Sequence, residues 1–402
     1  MIIMDYEVLR VIWWVLLGVL LIGFAVMDGF DMGAAMLLPF VGKTDVERRI
    51  IINTFAPVWE GNQVWLILGA GAIFAAWPLV YAVAFSGMYL AMFLALLGLI
   101  VRPVALKFRS KSDGNCWRTS FDYAICISSL VPALIFGVAV GNALIGIPFH
   151  FDDTLRMFYT GSLFELLNPY SLICGLVSLA MMVMQGGIYI LLKVNDPILV
   201  RRAKAIVYWA IFVMLALFTL NGIWTLFFTK GYTLIAGLKH VKGYPIADTY
   251  TLVGKALHNA PSNPLMKMVL TGGDFKSRWA YNYTQHPILL CVPFLVYVSA
   301  VLTLFVIRMH KIGLAFITSS FCIVGLIATV GVTMFPFILP SSTHLNSSLT
   351  VWDASSSKGT LGIMLIATLI FVPIILTYTG WVYRVLRGKV TADSIDANHS
   401  SY

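Results

Sequence analysis

Apolar runs of about 20 residues recur from one end of this chain to the other, each long enough to cross the hydrocarbon core of a bilayer as a helix. Their cores fall at 8–28, 57–76, 79–101, 122–142, 165–192, 205–228, 288–307, 312–336 and 360–383. This pattern predicts an all-α integral membrane protein with about nine transmembrane helices. Trp77-Pro78 marks a very tight turn between the second and third runs. Only 11% of the residues are charged, where a soluble domain carries roughly 25%, so a cytosolic enzyme is excluded.

The basic residues test the count. They cluster at Lys43/Arg48/Arg49, Arg102/Lys107/Arg109/Lys111/Arg118, Lys193/Arg201/Arg202/Lys204, Arg308/Lys311 and Arg384/Arg387/Lys389. With nine spans all these clusters fall on one side, and an excess of Lys and Arg marks that side as cytoplasmic. The N-terminus is then periplasmic, and the C-terminus, with its 384–402 tail, is cytoplasmic. The net charge of +9 therefore reads as a topology signal rather than a nucleic-acid patch. The first run is too long for a signal-peptide core and lacks a small-residue cleavage site, so it is expected to remain as the first span. The five cysteines show no CxxC spacing and suggest neither a metal site nor a disulfide framework.

Three connections carry patterns of their own. Thr44 followed by Glu47 is a capping box, which predicts a helix that starts there and reaches toward Pro57. Residues 229–287, rich in Gly, Pro, Asn and Tyr, form a long periplasmic loop expected to fold over the outer ends of the bundle. The Ser-rich FPFILPSSTHLNSSLTVWDASSSKGT reads as an ordered capping loop.

Three carboxylates sit in or beside spanning sequence: Asp28 and Asp31 in GFAVMDGFDMGAAM, and Glu60 in APVWEGNQVWLI. A charge at mid-membrane costs at least about 2.5–3.5 kcal/mol, so such residues face a bundle interior and mark ion or proton paths. Asp28 and Asp31, three apart, share one face of a helix. Two acids that close cannot both ionise cheaply, so one should hold a proton or bind a cation. Arg102 ends the third run, and Asp28, Asp31, Glu60 and Arg102 are all expected toward the cytoplasmic side, where they can meet. Such a cluster can relay protons or hold a cation, and the plainer reading is a packing network that fixes helix register. Trp59 and Trp65 fit interfacial packing. The glycines at 18, 23, 29 and 33 read as points of close helix contact.

Haem in membrane redox proteins is held through histidine. The seven histidines here (His150, His240, His258, His286, His310, His344 and His399) lie in loops, at span ends or in the tail. The chain is therefore not expected to bind haem iron by itself. It also has no Walker loop, Rossmann glycine pattern or HExxH.

Four stretches, VLRVIWWVLLGVLLIGFAVMDGFDMG, ERRIIINTFAPVWEGNQVWLILGAGAIFAAWPLVYAVAFSGMYLAMFLALLGLIVRP, FYTGSLFELLNPYSLICG and MFPFILPSSTHLNSSLTVWDASSS, resemble subunit II of cytochrome bd-type quinol oxidases. The resemblance runs from about residue 5 to the tail and is weakest over 230–285. It implies two helical bundles plus one extra helix in a bacterial inner membrane. It also implies a heterodimer with a haem-bearing subunit I, which holds haem b and haem d and carries the quinol-binding loop. The complex would oxidise quinol and reduce oxygen to water with cytoplasmic protons. A structural quinone on this subunit occurs in some members, and there is room for a small accessory subunit. Asp31 and Glu60, with Trp59, Arg102 and Asp28, match the family's proton-entry path, and Trp65 matches a region of oxygen access. The acid after Trp59 is usually aspartate in the family; Glu60 keeps the charge and moves the carboxyl by about 1.5 Å, one C–C step. A secondary transporter or cation antiporter is the alternative of another class, but internal repeats and broken midplane helices, its usual marks, are not evident.

Overall fold

The first helix does not stop at its carboxylates. In the computed structural model, which describes residues 4–112, 114–234, 267, 269–272 and 277–391, α1 runs Tyr6–Val41. Its 36 residues make a rod of about 54 Å at 1.5 Å per residue, well beyond the hydrocarbon core. The run was expected to end at residue 28, where polar residues begin. It continues because Asp28 and Asp31 find partners inside the bundle, so neither has to leave it.

The capping box is present as expected. Thr44 Oγ1 accepts the Glu47 amide at 3.2 Å, Glu47 Oε2 accepts the Thr44 amide at 3.3 Å, and α2 (Asp45–Phe55) follows. After Pro57, the chain re-enters the bundle as α3 (Trp59–Ala76).

The tight turn at Trp77-Pro78 also forms. Helix α4 (Pro78–Gly87) is bent by 120° from α3, and α5 (Tyr89–Phe108) follows it after Met88. Pro78 sits in the first turn of α4, where its missing N–H costs nothing. Gly87 packs directly against the Tyr159 ring, and Met88 leaves helical geometry with ψ 30°. The apolar run is continuous through Met88, so hydropathy does not mark that interruption.

The remaining helices are α6 (Asn115–Ile145), α7 (Leu163–Leu166), α8 (Pro169–Lys193), α9 (Pro197–Phe227), α10 (Tyr281–Gln285), α11 (Cys291–Arg308), α12 (Ile312–Met334) and α13 (Lys358–Val385). Among the described residues eight helices are long and apolar enough to span a membrane, or nine if the bent α3–α4 pair is counted as one span. Helix α1 packs on α3, α6 and α8; α5 pairs with α6, α8 with α9 and α11 with α12, while α13 rests on α1 and α3. The α1–α8 crossing depends on glycine: a Cβ at Gly33 would overlap the Met182 carbonyl, and one at Gly186 would overlap the backbone of α1. Gly23 likewise makes room for the Trp65 ring, whereas Gly18 meets nothing within 4 Å and is no contact point within this chain.

Ion pairs lock the end of the bundle where α1 finishes. Asp122, fully buried on α6, accepts from Arg48 at 2.8 Å and Arg109 at 2.5 Å. Asp45 then joins Arg109 to Arg118, and Glu47 pairs with Arg202 at 2.9 Å. Several of the arginines read as topology signals are thus also structural.

Three short antiparallel hairpins decorate the opposite end. They are β1 (Phe149–Phe151) with β2 (Met157–Tyr159), β3 (Tyr232–Leu234) with β4 (Val269–Thr271), and β5 (Phe337–Leu339) with β6 (Leu349–Thr350). The Ser-rich segment is an ordered cap, as expected: Ser347, Ser348, Thr350, Val351, Trp352 and Asp353 are all buried. Lys267, buried, donates to Asp353 at 2.5 Å. Within the long 229–287 connection, residues 235–266, 268 and 273–276 lie outside the described residues, as do residues 392–402 of the tail.

Candidate functional site

Asp28 and Asp31 project from adjacent turns of α1 and are 0% and 1% exposed, so whatever satisfies them must come from the chain or from small mobile species. Arg102, near the end of α5 and 1% exposed, donates from Nη1 to Asp28 Oδ1 at 3.0 Å. Asp31 takes a different partner: Asn62 on α3 donates from Nδ2 to Asp31 Oδ2 at 2.7 Å. The line continues outward, because the Tyr383 hydroxyl on α13 donates to Asn62 Oδ1 at 2.8 Å. The connected groups Tyr383, Asn62 and Asp31 therefore link the mostly exposed last helix to the buried acid pair.

The acid cluster keeps capacity for further hydrogen bonds, and Trp59 on α3 has an unused donor of its own. Asp28 Oδ2, Asp31 Oδ1, Arg102 Nε and Nη2, and Trp59 Nε1 are all buried and make no hydrogen bond among the described residues. Buried polar groups are normally paired, so the four such atoms on Asp28, Asp31 and Arg102 mark a place built for small polar species. An aromatic wall flanks it. Phe30 stacks on Tyr189 at 3.9 Å between centroids and meets Phe316 and Tyr383 edge-on at 5.9 and 6.5 Å.

The residues expected from the sequence separate here. Asp28, Asp31 and Arg102 come together, and Trp59 is buried with its indole N–H unused. Glu60 does not join them: it is exposed on the outer face of α3, with no hydrogen bond or ion pair among the described residues. Trp65 is half-buried over Gly23 of α1 and packs against the central core. Sequence reasoning missed Asn62 as the Asp31 partner, although it stands two residues after Glu60, and missed Tyr383 altogether. A polar residue one turn into an otherwise apolar helix was the available signal for Asn62; Tyr383 lies in an apolar run with no such mark.

None of the described histidines (His150, His286, His310 and His344) lies within a span core, where it could hold a haem. Among them there is also no group of three or more His, Cys, Asp or Glu side chains that could hold a metal.

A family model for cytochrome bd terminal oxidase subunit II matches residues 9–386. The chain belongs to that family. It is 46% identical over 399 residues to cytochrome bd-I ubiquinol oxidase subunit 2 of Escherichia coli K12, covering 99% of this chain and 100% of that one. It is also 46% identical to the probable cytochrome oxidase subunit 2 of Haemophilus influenzae over 401 residues, and 29% identical to the Bacillus subtilis cytochrome bd ubiquinol oxidase subunit 2 over 386. These matches cover 99% and 94% of this chain, and 100% and 96% of the relatives. The bd oxidase structure from Geobacillus thermodenitrificans superposes with TM-score 0.65, covering 94% of this chain and 98% of that one, and at 15% identity it shows a shared fold. Subunit II of a cytochrome bd oxidase is a multi-pass protein of the bacterial inner membrane, and its membership implies a subunit I partner. The transporter alternative has no support from these relationships.

Proposed function

We propose that this subunit carries protons from the cytoplasm toward the oxygen-reducing site of a quinol oxidase, through a path that includes Asp28, Asp31 and Arg102. The observation that carries the reading is the Tyr383–Asn62–Asp31 chain of hydrogen bonds leading to a buried acid pair, of which Asp28 is held by the Arg102 guanidinium. One Arg102 charge neutralises one carboxylate, so the second carboxylate is neutral when it holds a proton, and the pair can exchange that proton at little electrostatic cost. Unused donors and acceptors on Asp28, Asp31, Trp59 and Arg102 suit a chain of mobile water. Burial in the bundle keeps other ions out.

The basic end of the bundle faces the cytoplasm in this account, which places the N-terminus outside, the C-terminus inside and the hairpin end toward the periplasm. Haem b and haem d belong to subunit I, in keeping with the absence of a histidine from the span cores among the described residues, so catalysis needs the assembled complex. Glu60 and the apolar residues beside it on α3, exposed here, suit a path that leaves this chain at the face it shares with that partner. Trp65 is the residue we assign to oxygen access from the lipid, a reading supported by its half-buried ring packed over Gly23. Quinol and oxygen are substrates of the whole complex, with a structural quinone and an accessory subunit as further components.

The test is the purified complex carrying Asn62→Leu. The expected outcome is slowed quinol-driven oxygen uptake with a native haem spectrum. Native turnover would remove Asn62 and its chain from the path.

A further inference from the structure

Two histidines meet at the end of the bundle opposite the acid cluster. His150 lies on β1, and His344 precedes the short turn Leu345–Ser347 in the capping segment. Their ring centroids are 4.7 Å apart with planes tilted by 36°. We propose that His150 and His344 form a two-histidine site for a divalent transition-metal cation of the Zn2+ or Cu2+ class.

Rigid backbone sets the spacing. Phe149 O, next to His150, accepts from Thr343 Oγ1 at 2.8 Å and also from Ser341 Oγ. Phe151 N, on its other side, donates to Ser347 Oγ at 3.2 Å. Ile147 N donates to Pro340 O at 2.9 Å, and Ser342 N donates to Ile147 O at 3.0 Å. The His150 ring is further held against Phe158, its cross-strand neighbour, at 5.4 Å and 16°. The fold therefore brings the two imidazoles together before any ion arrives.

The pair is chemically free to bind. Neither ring makes a hydrogen bond or ion pair among the described residues, and His150 Nδ1 is buried without a partner. His344 is exposed, which gives the site an entrance. Imidazole nitrogens bind Zn2+ at about 2.0–2.1 Å, so two rings on one ion in neighbouring positions have centroids roughly 4.5–5.5 Å apart. The observed spacing falls in that range. Two imidazoles favour Zn2+, Cu2+ or Ni2+ over Mg2+ or Ca2+, and Cu2+ binds such donors most tightly. With no third protein ligand among the described residues, water would complete the coordination, making this an open, exchangeable site. A bound ion would tie the β1–β2 hairpin to the capping segment. The two histidines lie in segments far apart in sequence, so spacing motifs could not reveal the pair.

The test uses the intact oxidase complex, stripped with chelator and titrated with Cu2+, comparing native with His344→Ala. The expected result is a native-minus-variant electron paramagnetic resonance spectrum with splitting from two nitrogens. The variant should also lose one tightly bound Cu2+ equivalent while keeping its haem spectrum and oxygen uptake. His344→Gln should lose the same equivalent. A His344→Ala complex that binds the same equivalents with the same splitting would overturn the proposal, as would a native signal from a single nitrogen.

Discussion

Arg102 Nη1 and Asp28 Oδ1 lie 3.0 Å apart between α5 and α1, with both side chains withdrawn from solvent. Such a pair weakly favours folding when whole and strongly opposes it when halved, because the survivor is left as an uncompensated buried charge. Arg102→Met alone should cost about 3–5 kcal/mol and deplete assembled complex. Adding Asp28→Leu should restore much of the assembly without restoring turnover. Thermal unfolding and haem content of the single and double variants measure the first effect; oxygen uptake measures the second.

Tyr383 should separate function from stability. Tyr383→Phe removes one hydroxyl from a half-buried position, a loss of about 1 kcal/mol. Oxygen reduction should slow well beyond what that small destabilisation explains, and a side-by-side melting curve and oxygen electrode trace decide it.

Asp122 gathers Arg48 and Arg109 while fully buried. Asp122→Ala leaves both guanidinium groups without their shared acceptor and should destabilise the complex by about 3–5 kcal/mol. The acid cluster is separate, so the surviving fraction should turn over normally per haem.

Glu47 supplies the pH prediction. Burial pushes its carboxyl up, but hydrogen bonds from the Lys43 and Thr44 amides and from Arg202 outweigh this and hold it below its ordinary 4.5. A depressed carboxylate contributes stability above its unfolded value, and that contribution is lost as pH falls through the folded one. The melting temperature of native complex should therefore fall more steeply below pH 4.5 than that of Glu47→Gln.

Much of this was legible in the residues. Nine apolar runs announced the spans, and Asp28, Asp31 and Arg102 announced the buried cluster, because charge in spanning sequence has few other uses. The α2 cap was equally readable from Thr44 and Glu47. What sequence could not supply was facing. Helix α3 is apolar nearly all round, so nothing told that Asn62 would turn inward and Glu60 outward. Tyr383 was hidden for a related reason: α13 presents mostly exposed apolar residues, and only packing against α1 and α3 brings its hydroxyl to Asn62. The interruption at Met88 went unseen because it breaks the helix and not the hydropathy.

The most direct test of the central claim is time-resolved proton uptake by the assembled oxidase in vesicles, comparing native with Asp31→Asn. The account predicts that the variant takes up protons from the cytoplasmic face much more slowly, with haem content and oxygen binding unchanged. Native uptake kinetics in Asp31→Asn would contradict it and leave the acid pair as helix packing.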